Sequence, residues 1–129
     1  MPNDKENKLE DLIKELPKQE GKDKLKLLYK ITNLLLRKPS EAIPYANEGV
    51  LLAQELGEIE IESRFLNRLG ITNHYLGKFD EATNYYRNSA DIAKRIGLML
   101  DYAQNLEFEK AADLRDKLTS LRKQFLMSS

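Results

Sequence analysis

The chain has 129 residues, 33% of them charged and 41% hydrophobic, and its 21 Lys and Arg balance its 21 Asp and Glu to a formal net charge of zero. That length suits one domain around one core. The neutral balance, without a basic stripe, argues against a nucleic-acid binder, whose affinity comes largely from neutralised phosphates. There is no cysteine, which excludes disulfides, thiolate catalysis and Cys-based zinc sites.

The first residues, Met-Pro-Asn-Asp-Lys-Glu-Asn-Lys, lack the apolar core of a signal peptide. No apolar run approaches the roughly 18–20 residues that span a bilayer, so the expectation is a cytoplasmic protein. Leu9, Leu12, Ile13 and Leu16 follow the i, i+3, i+4, i+7 spacing of an amphipathic helix over about 5–16, which Pro17 ends. A second helix, about 22–37, carries Leu25, Leu28, Tyr29, Leu35 and Leu36. It reads as apolar on most of its circumference and hence buried on more than one side, with the first helix laid across it. Lys38-Pro39-Ser40 interrupts. Ser40 is the expected N-cap of the third helix, Pro44 falls near its start where a missing N–H costs little, and Gly57 is its expected stop. A fourth helix runs through Phe65, Leu66, Leu69 and Tyr75, followed by a turn at Gly77-Lys78-Phe79-Asp80 with Asp80 as cap. The fifth helix passes Ala82, Tyr86 and Ala93. Because Ala93, Ile96, Leu100 and Ala103 carry the pattern past Gly97, one continuous helix is expected over about 80–104.

Shifted by forty residues, the sequence partly repeats itself. Ile31-Thr32-Asn33 returns as Ile71-Thr72-Asn73, and Leu36, Lys38, Glu41, Ala42, Tyr45, Ala53 and Gly57 return as Leu76, Lys78, Glu81, Ala82, Tyr85, Ala93 and Gly97. A period in this range marks stacked helical units. Leu69-Gly70, Leu76-Gly77, Phe79, Ala82 and Tyr86 resemble the tetratricopeptide repeat. Gly70 and Ala82 are small where paired helices cross, and Phe79 and Tyr86 are expected to fill the space beside them. The earlier unit departs from that pattern at Lys30, Arg37 and Pro39, and the usual Tyr of the first helix is Asn33 or Asn73. Both asparagines are expected to form buried hydrogen bonds within the stack.

Past Gly97 the echo stops. A turn at Asn105-Leu106-Glu107 leads into a helix of about eighteen residues opened by Phe108. Ala111, Leu114, Leu118, Leu121 and Phe125 are spaced 3, 4, 3, 4, which makes a narrow apolar seam. The run Asn105-Leu-Glu-Phe-Glu-Lys-Ala-Ala-Asp-Leu-Arg-Asp-Lys117, within about 92–123, resembles the UVR motif, the helical hairpin of UvrB, UvrC and some Clp ATPases and adaptors. That resemblance implies docking on another protein and no chemistry. Together with the seam, which adds Leu118, it points to Phe108, Ala111, Leu114, Arg115, Asp116, Leu118 and Leu121 as the partner-binding set, with the apolar members as anchors and Arg115 and Asp116 setting orientation.

The sequence offers little for catalysis. His74 is the only histidine. No phosphate-binding Gly loop or HExxH occurs, and the carboxylates sit at solvated-face spacing. No catalytic residue, metal or cofactor is assigned. A second candidate surface is a groove on the fourth helix, formed by Arg64, Asn67, Arg68, Ile71, His74 and Tyr75, where arginines could grip an acidic peptide.

The reading is therefore an all-α chain, 1–129, forming one antiparallel stack of helix hairpins. It comprises an N-terminal helix (1–20), two tetratricopeptide-like pairs (21–97) and a C-terminal UVR-like hairpin (98–129). The expected function is a non-enzymatic protein-interaction adaptor. The competing readings are a peptide-sensing repeat domain and a purely structural or artificial helical module. The expected partner is another protein: a UVR-bearing excision-repair or Clp-type component, or a second copy in a homodimer. Neither nucleic acid nor membrane is expected.

Overall fold

The computed structural model of the chain describes the backbone of residues 4–105 and 108–128, and the side chains of 8–97 and 116–127. Six α-helices follow one another among these residues, with no strand: α1 (Asp4–Glu15), α2 (Gly21–Leu34), α3 (Pro39–Leu56), α4 (Ile59–Tyr75), α5 (Phe79–Asn105) and α6 (Phe108–Ser128). A single 3-10 turn, Leu16–Lys18, follows α1 where Pro17 breaks the α-helical pattern. Helices α2 to α5 pack each on the next through short turns, which makes an antiparallel stack. Helix α1 covers the outer side of α2, and α6 rests on α5 and the end of α3.

The apolar residues divide into two clusters around α2. Leu25 and Leu28 join Ala46 and Ala53 of α3 and Phe65, Leu66 and Leu69 of α4. On the other side, Leu27, Ile31 and Leu35 join Ala42, and Leu9, Leu12, Ile13 and Leu16 close over them. The first helix thus lies where its stripe requires, and α2 is buried on two sides. It is not apolar on most of its circumference, however: Lys22, Lys26, Lys30 and Asn33 form an exposed flank. It also stops at Leu34, because the Leu35 N–H is shared between the Ile31 and Thr32 carbonyls and the chain turns.

The helix ends use different residues from those expected. Helix α3 begins at Pro39, with Lys38 as cap residue and no side-chain cap bond, so Ser40 is its second residue. Proline at the first position loses nothing, since that N–H has no helical acceptor. Pro44 lies one turn further in, inside the helix. Asp80 likewise falls within the first turn of α5, one residue after Phe79, where its charge complements the helix dipole. Gly57 is the expected stop: at φ 73° it is left-handed. The Glu58 N–H reaches the Ala53 carbonyl at 2.9 Å and the Gly57 N–H reaches Gln54 at 3.2 Å, the paired bonds of a Schellman ending. Gly77 repeats the arrangement at φ 75°, with Lys78 bonded to Asn73 at 2.9 Å and Gly77 to His74 at 3.0 Å.

The forty-residue echo has a structural counterpart. Lys38 and Lys78 precede α3 and α5 and offer their carbonyls to the N–H groups of Ala42 and Ala82, at 3.0 and 2.9 Å. Ala42 and Ala82 are both buried. Thr32 and Thr72 are fully buried, and each hydroxyl donates to a carbonyl of its own helix, Leu28 at 2.8 Å and Leu69 at 3.0 Å. The echo fails at the asparagines. Asn73 is buried and donates to Leu69 at 2.7 Å, as expected, whereas Asn33 is exposed.

Helix α4 is gripped from both sides through missing side chains. A Cβ at Gly49 would enter the ring of Phe65, and one at Gly70 would lie 2.5 Å from the ring of Tyr86. Ser63 and Ser89 then tie α4 to α5 reciprocally, each hydroxyl donating to the other's carbonyl, at 2.9 and 2.8 Å. Phe79 does not share in this filling. It is 60% exposed, and its ring meets that of His74 in a tilted arrangement, at 5.2 Å between ring centres.

Helix α5 runs unbroken through Gly97, as its apolar pattern predicts. Among the described residues, nothing lies within 4 Å of a Cβ built there. Gly97→Ala should therefore stabilise the chain by up to about 1 kcal/mol. Gly49→Ala and Gly70→Ala should each cost roughly 1–3 kcal/mol through overpacking. Urea denaturation of the three variants checks both signs.

Candidate functional site

Arg68, at the middle of the expected groove, is committed to the fold. Its Nε donates to Asn33 Oδ1 at 2.7 Å, Nη1 to Asn67 Oδ1 at 2.8 Å and Nη2 to Tyr29 Oη at 2.8 Å. The guanidinium also lies over the Tyr29 ring, 5.4 Å from its centre, a favourable placement for a cation. Tyr29 in turn meets Phe65 edge-on at 5.3 Å. The network joins α2 to α4, and it explains why Asn33 has a cross-stack bond although it is exposed. Ile71 is half-buried. His74 is exposed beside Phe79, and Tyr75 is 62% exposed at the end of α4. Arg64 is parted from this network and points to a different hollow.

In the first turns of α4, Glu62 is buried. Burial pushes its carboxyl above the ordinary value of 4.5, and the hydrogen bond from Gln54 Nε2, 3.3 Å from Glu62 Oε2, opposes the rise.

The partner-binding set is divided between described and undescribed residues. Phe108, Ala111, Leu114 and Arg115 lie outside the residues whose side chains are described, as does the whole of Leu106-Glu107. Asp116 is exposed, Leu118 half-buried and Leu121 41% exposed. The next apolar positions, Phe125 and Leu126, turn to the body. Phe125 receives Arg95 of α5 at 5.3 Å from its ring centre. Leu126 lies where a Cβ on Gly57 would stand, 2.5 Å from that point. The seam is therefore split. Its C-terminal end is seated against α5 and the α3–α4 turn, while Leu121 remains open.

Where α6 meets the body, a cleft of about 480 Å³ opens. It is walled by α4 (Ile59, Ile61, Arg64), α5 (Ile96) and α6 (Arg122, Leu126), with Glu58 and Glu60 at its edge. Neither Arg122 nor Leu126 stands out in sequence. Arg122 is one more cation on a charged helix, and Leu126 falls just off the seam spacing. The only hint is Gly57, whose bare Cα admits Leu126. No cluster of three or more His, Cys, Asp or Glu residues that could hold a metal occurs among the described residues. No helix among them is long and apolar enough to cross a membrane.

Comparison with known proteins places the hairpin. Residues 98–124 match the UVR family, the UvrB/uvrC motif. The UvrABC system protein B of Photobacterium profundum is 68% identical over 31 residues, covering 24% of this chain and 5% of that protein. The protein of the same name from Escherichia coli (strain K12 / DH10B) is 58% identical over 33 residues, 26% of this chain and 5% of its own length. The chain thus spans about one-twentieth of these relatives, and the likeness to each covers about a quarter of this chain. No solved structure matches the chain.

Glu62 provides a pH test of the packing around α4. The folded state holds this proton more tightly than the unfolded chain does, so the associated stability is full below pH 4.5 and is lost as pH rises through the elevated folded value. Glu62→Gln should therefore be more stable than the parent near pH 7, with the gap closing toward pH 4.5, when thermal melts are compared across that range.

Proposed function

We propose that the chain is a non-enzymatic adaptor that docks on another protein through its C-terminal hairpin. The observation that carries this reading is the coincidence of the UVR match at 98–124 with an apolar edge on α6 that its own fold uses only in part. Phe125 and Leu126 are spent on the body; Leu121 is not. A lone exposed leucine needs no explanation, but this one continues the 3, 4 spacing of Leu114, Leu118 and Phe125. UVR motifs mediate protein–protein contacts in UvrB and UvrC. By that likeness the partner bears a similar hairpin: an excision-repair or Clp-type component, or a second copy across a two-fold axis.

The body is read as two tetratricopeptide-like pairs, α2–α3 and α4–α5, that carry the hairpin. The shared Lys caps, the buried Ala42 and Ala82, and the paired Thr32 and Thr72 support this. We place the protein in the cytoplasm and assign it no reaction, in keeping with its single histidine and its carboxylates on charged helix faces. The groove reading is weakened because all three guanidinium nitrogens of Arg68 are already hydrogen-bonded within the fold.

The test is the double variant Arg115→Glu, Leu118→Asp. Capture of a UVR-bearing protein, or self-association measured by light scattering, should weaken by more than about 100-fold. Far-UV circular dichroism should keep its helical signal. Undiminished association by the folded double variant rejects the proposal.

A further inference from the structure

The cleft between α4 and α6 is a second place where the chain is equipped to bind, and its chemistry stands apart from the hairpin edge. Its volume, about 480 Å³, falls within the range of roughly 300–1,000 Å³ typical of ligand sites. Its lining joins two unlike features. Ile59, Ile61, Ile96 and Leu126 make an aliphatic surface, and Arg64 of α4 and Arg122 of α6 also line it. Among the described residues these two arginines have no hydrogen bond or ion pair, whereas some other cations of the body are engaged: Lys22 with Glu58 at 3.1 Å, Lys24 with Glu48 at 3.0 Å, and Arg68 as above.

The charge around the cleft narrows the choice of ligand. Of its two acidic residues, Glu58 is neutralised by Lys22 at 3.1 Å. Glu60 remains against two arginines, an excess of one positive charge. That suits one carboxylate and gives a phosphate backbone, which needs many cations, little hold. The planar fork of arginine matches a carboxylate with two parallel hydrogen bonds. The isoleucines beside it offer burial to an aliphatic side chain but no polar group to orient a sugar or a base.

We propose that this cleft binds a short acidic segment of another protein, with a carboxylate between Arg64 and Arg122 and a neighbouring aliphatic side chain against Ile59, Ile61 and Ile96. One wall belongs to the hairpin and the other to the body. An occupied cleft therefore ties α6 to α4, and by linkage the segment and the hairpin's orientation favour each other.

The experiment is fluorescence anisotropy on the full chain with a labelled Leu-Asp-Leu-Asp-Leu peptide, compared with the same peptide carrying Asn for Asp. The acidic peptide should bind at least about tenfold more tightly, the worth of a charge-assisted pair. Arg64→Gln and Arg122→Gln should each weaken it several-fold, and together they should abolish the preference over the Asn peptide. Arg87→Gln, an exposed cation outside the cleft, should change nothing. Equal affinity for the two peptides, or a preference that survives loss of both arginines, overturns the proposal. Neither Arg115 nor Leu118 is altered, so failure here is distinct from failure of hairpin docking.

Discussion

The close approach of α4 to its two neighbours organises this molecule. Phe65 can lie over α3 only because Gly49 has no side chain, and Tyr86 can lie over α4 only because Gly70 has none. Interiors are packed densely enough that such an overlap cannot be absorbed without movement. Once Phe65 is seated, the rest of the inner surface follows. Its ring supports Tyr29, Tyr29 supports the guanidinium of Arg68, and Arg68 reaches Asn33. The polar groups drawn inside are satisfied in turn: no buried side-chain nitrogen or oxygen lacks a partner among the described residues. Glu62 is the one buried carboxyl among them whose ionisation opposes the packing, and Gln54 offsets part of that cost.

The same packing sets the stage for the hairpin. Helix α5 has 27 residues against 17 in α4, an excess of about 15 Å of helix at the usual rise. Its first part is a layer of the body, and its last part belongs to the segment that matches UvrB. Helix α6 returns to the body at Arg95 and Gly57. The last helix is therefore accompanied, and among its described seam residues Leu121 stays exposed.

Some of this could be read from spacing alone, and some could not. The stripe of Leu9, Leu12, Ile13 and Leu16 lies against α2 as its period requires. The continuity of α5 followed from apolar residues recurring on both sides of Gly97, and Gly57 was readable as a stop because left-handed backbone strongly favours glycine. Ser40 and Asp80 misled for a common reason. Cap preference is worth only about 1 kcal/mol, and Pro39 and Phe79 start their helices two residues earlier than either cap would allow. Phe79 and Asn33 misled differently. Asn33 copies Asn73, but α2 and α4 have different neighbours at that point, so burial does not follow the repeat; Phe79 fits the family pattern, yet at the first position of α5 it stands exposed.

By itself, the amino-acid sequence determined the local and periodic features of this protein: its helices, the turns at Gly57 and Gly77, the forty-residue repeat and the UVR-like run. These depend on residues within a turn or two of one another. Only the tertiary structure decided which cations are spent and which are free. It engaged Arg68 with Tyr29 and Asn33, residues 39 and 35 positions away, while leaving Arg64, one helical turn earlier, beside Arg122. The reason is geometric. Arg64 and Arg68 are alike in type and in local pattern, and their difference lies in what the rest of the chain brings within reach.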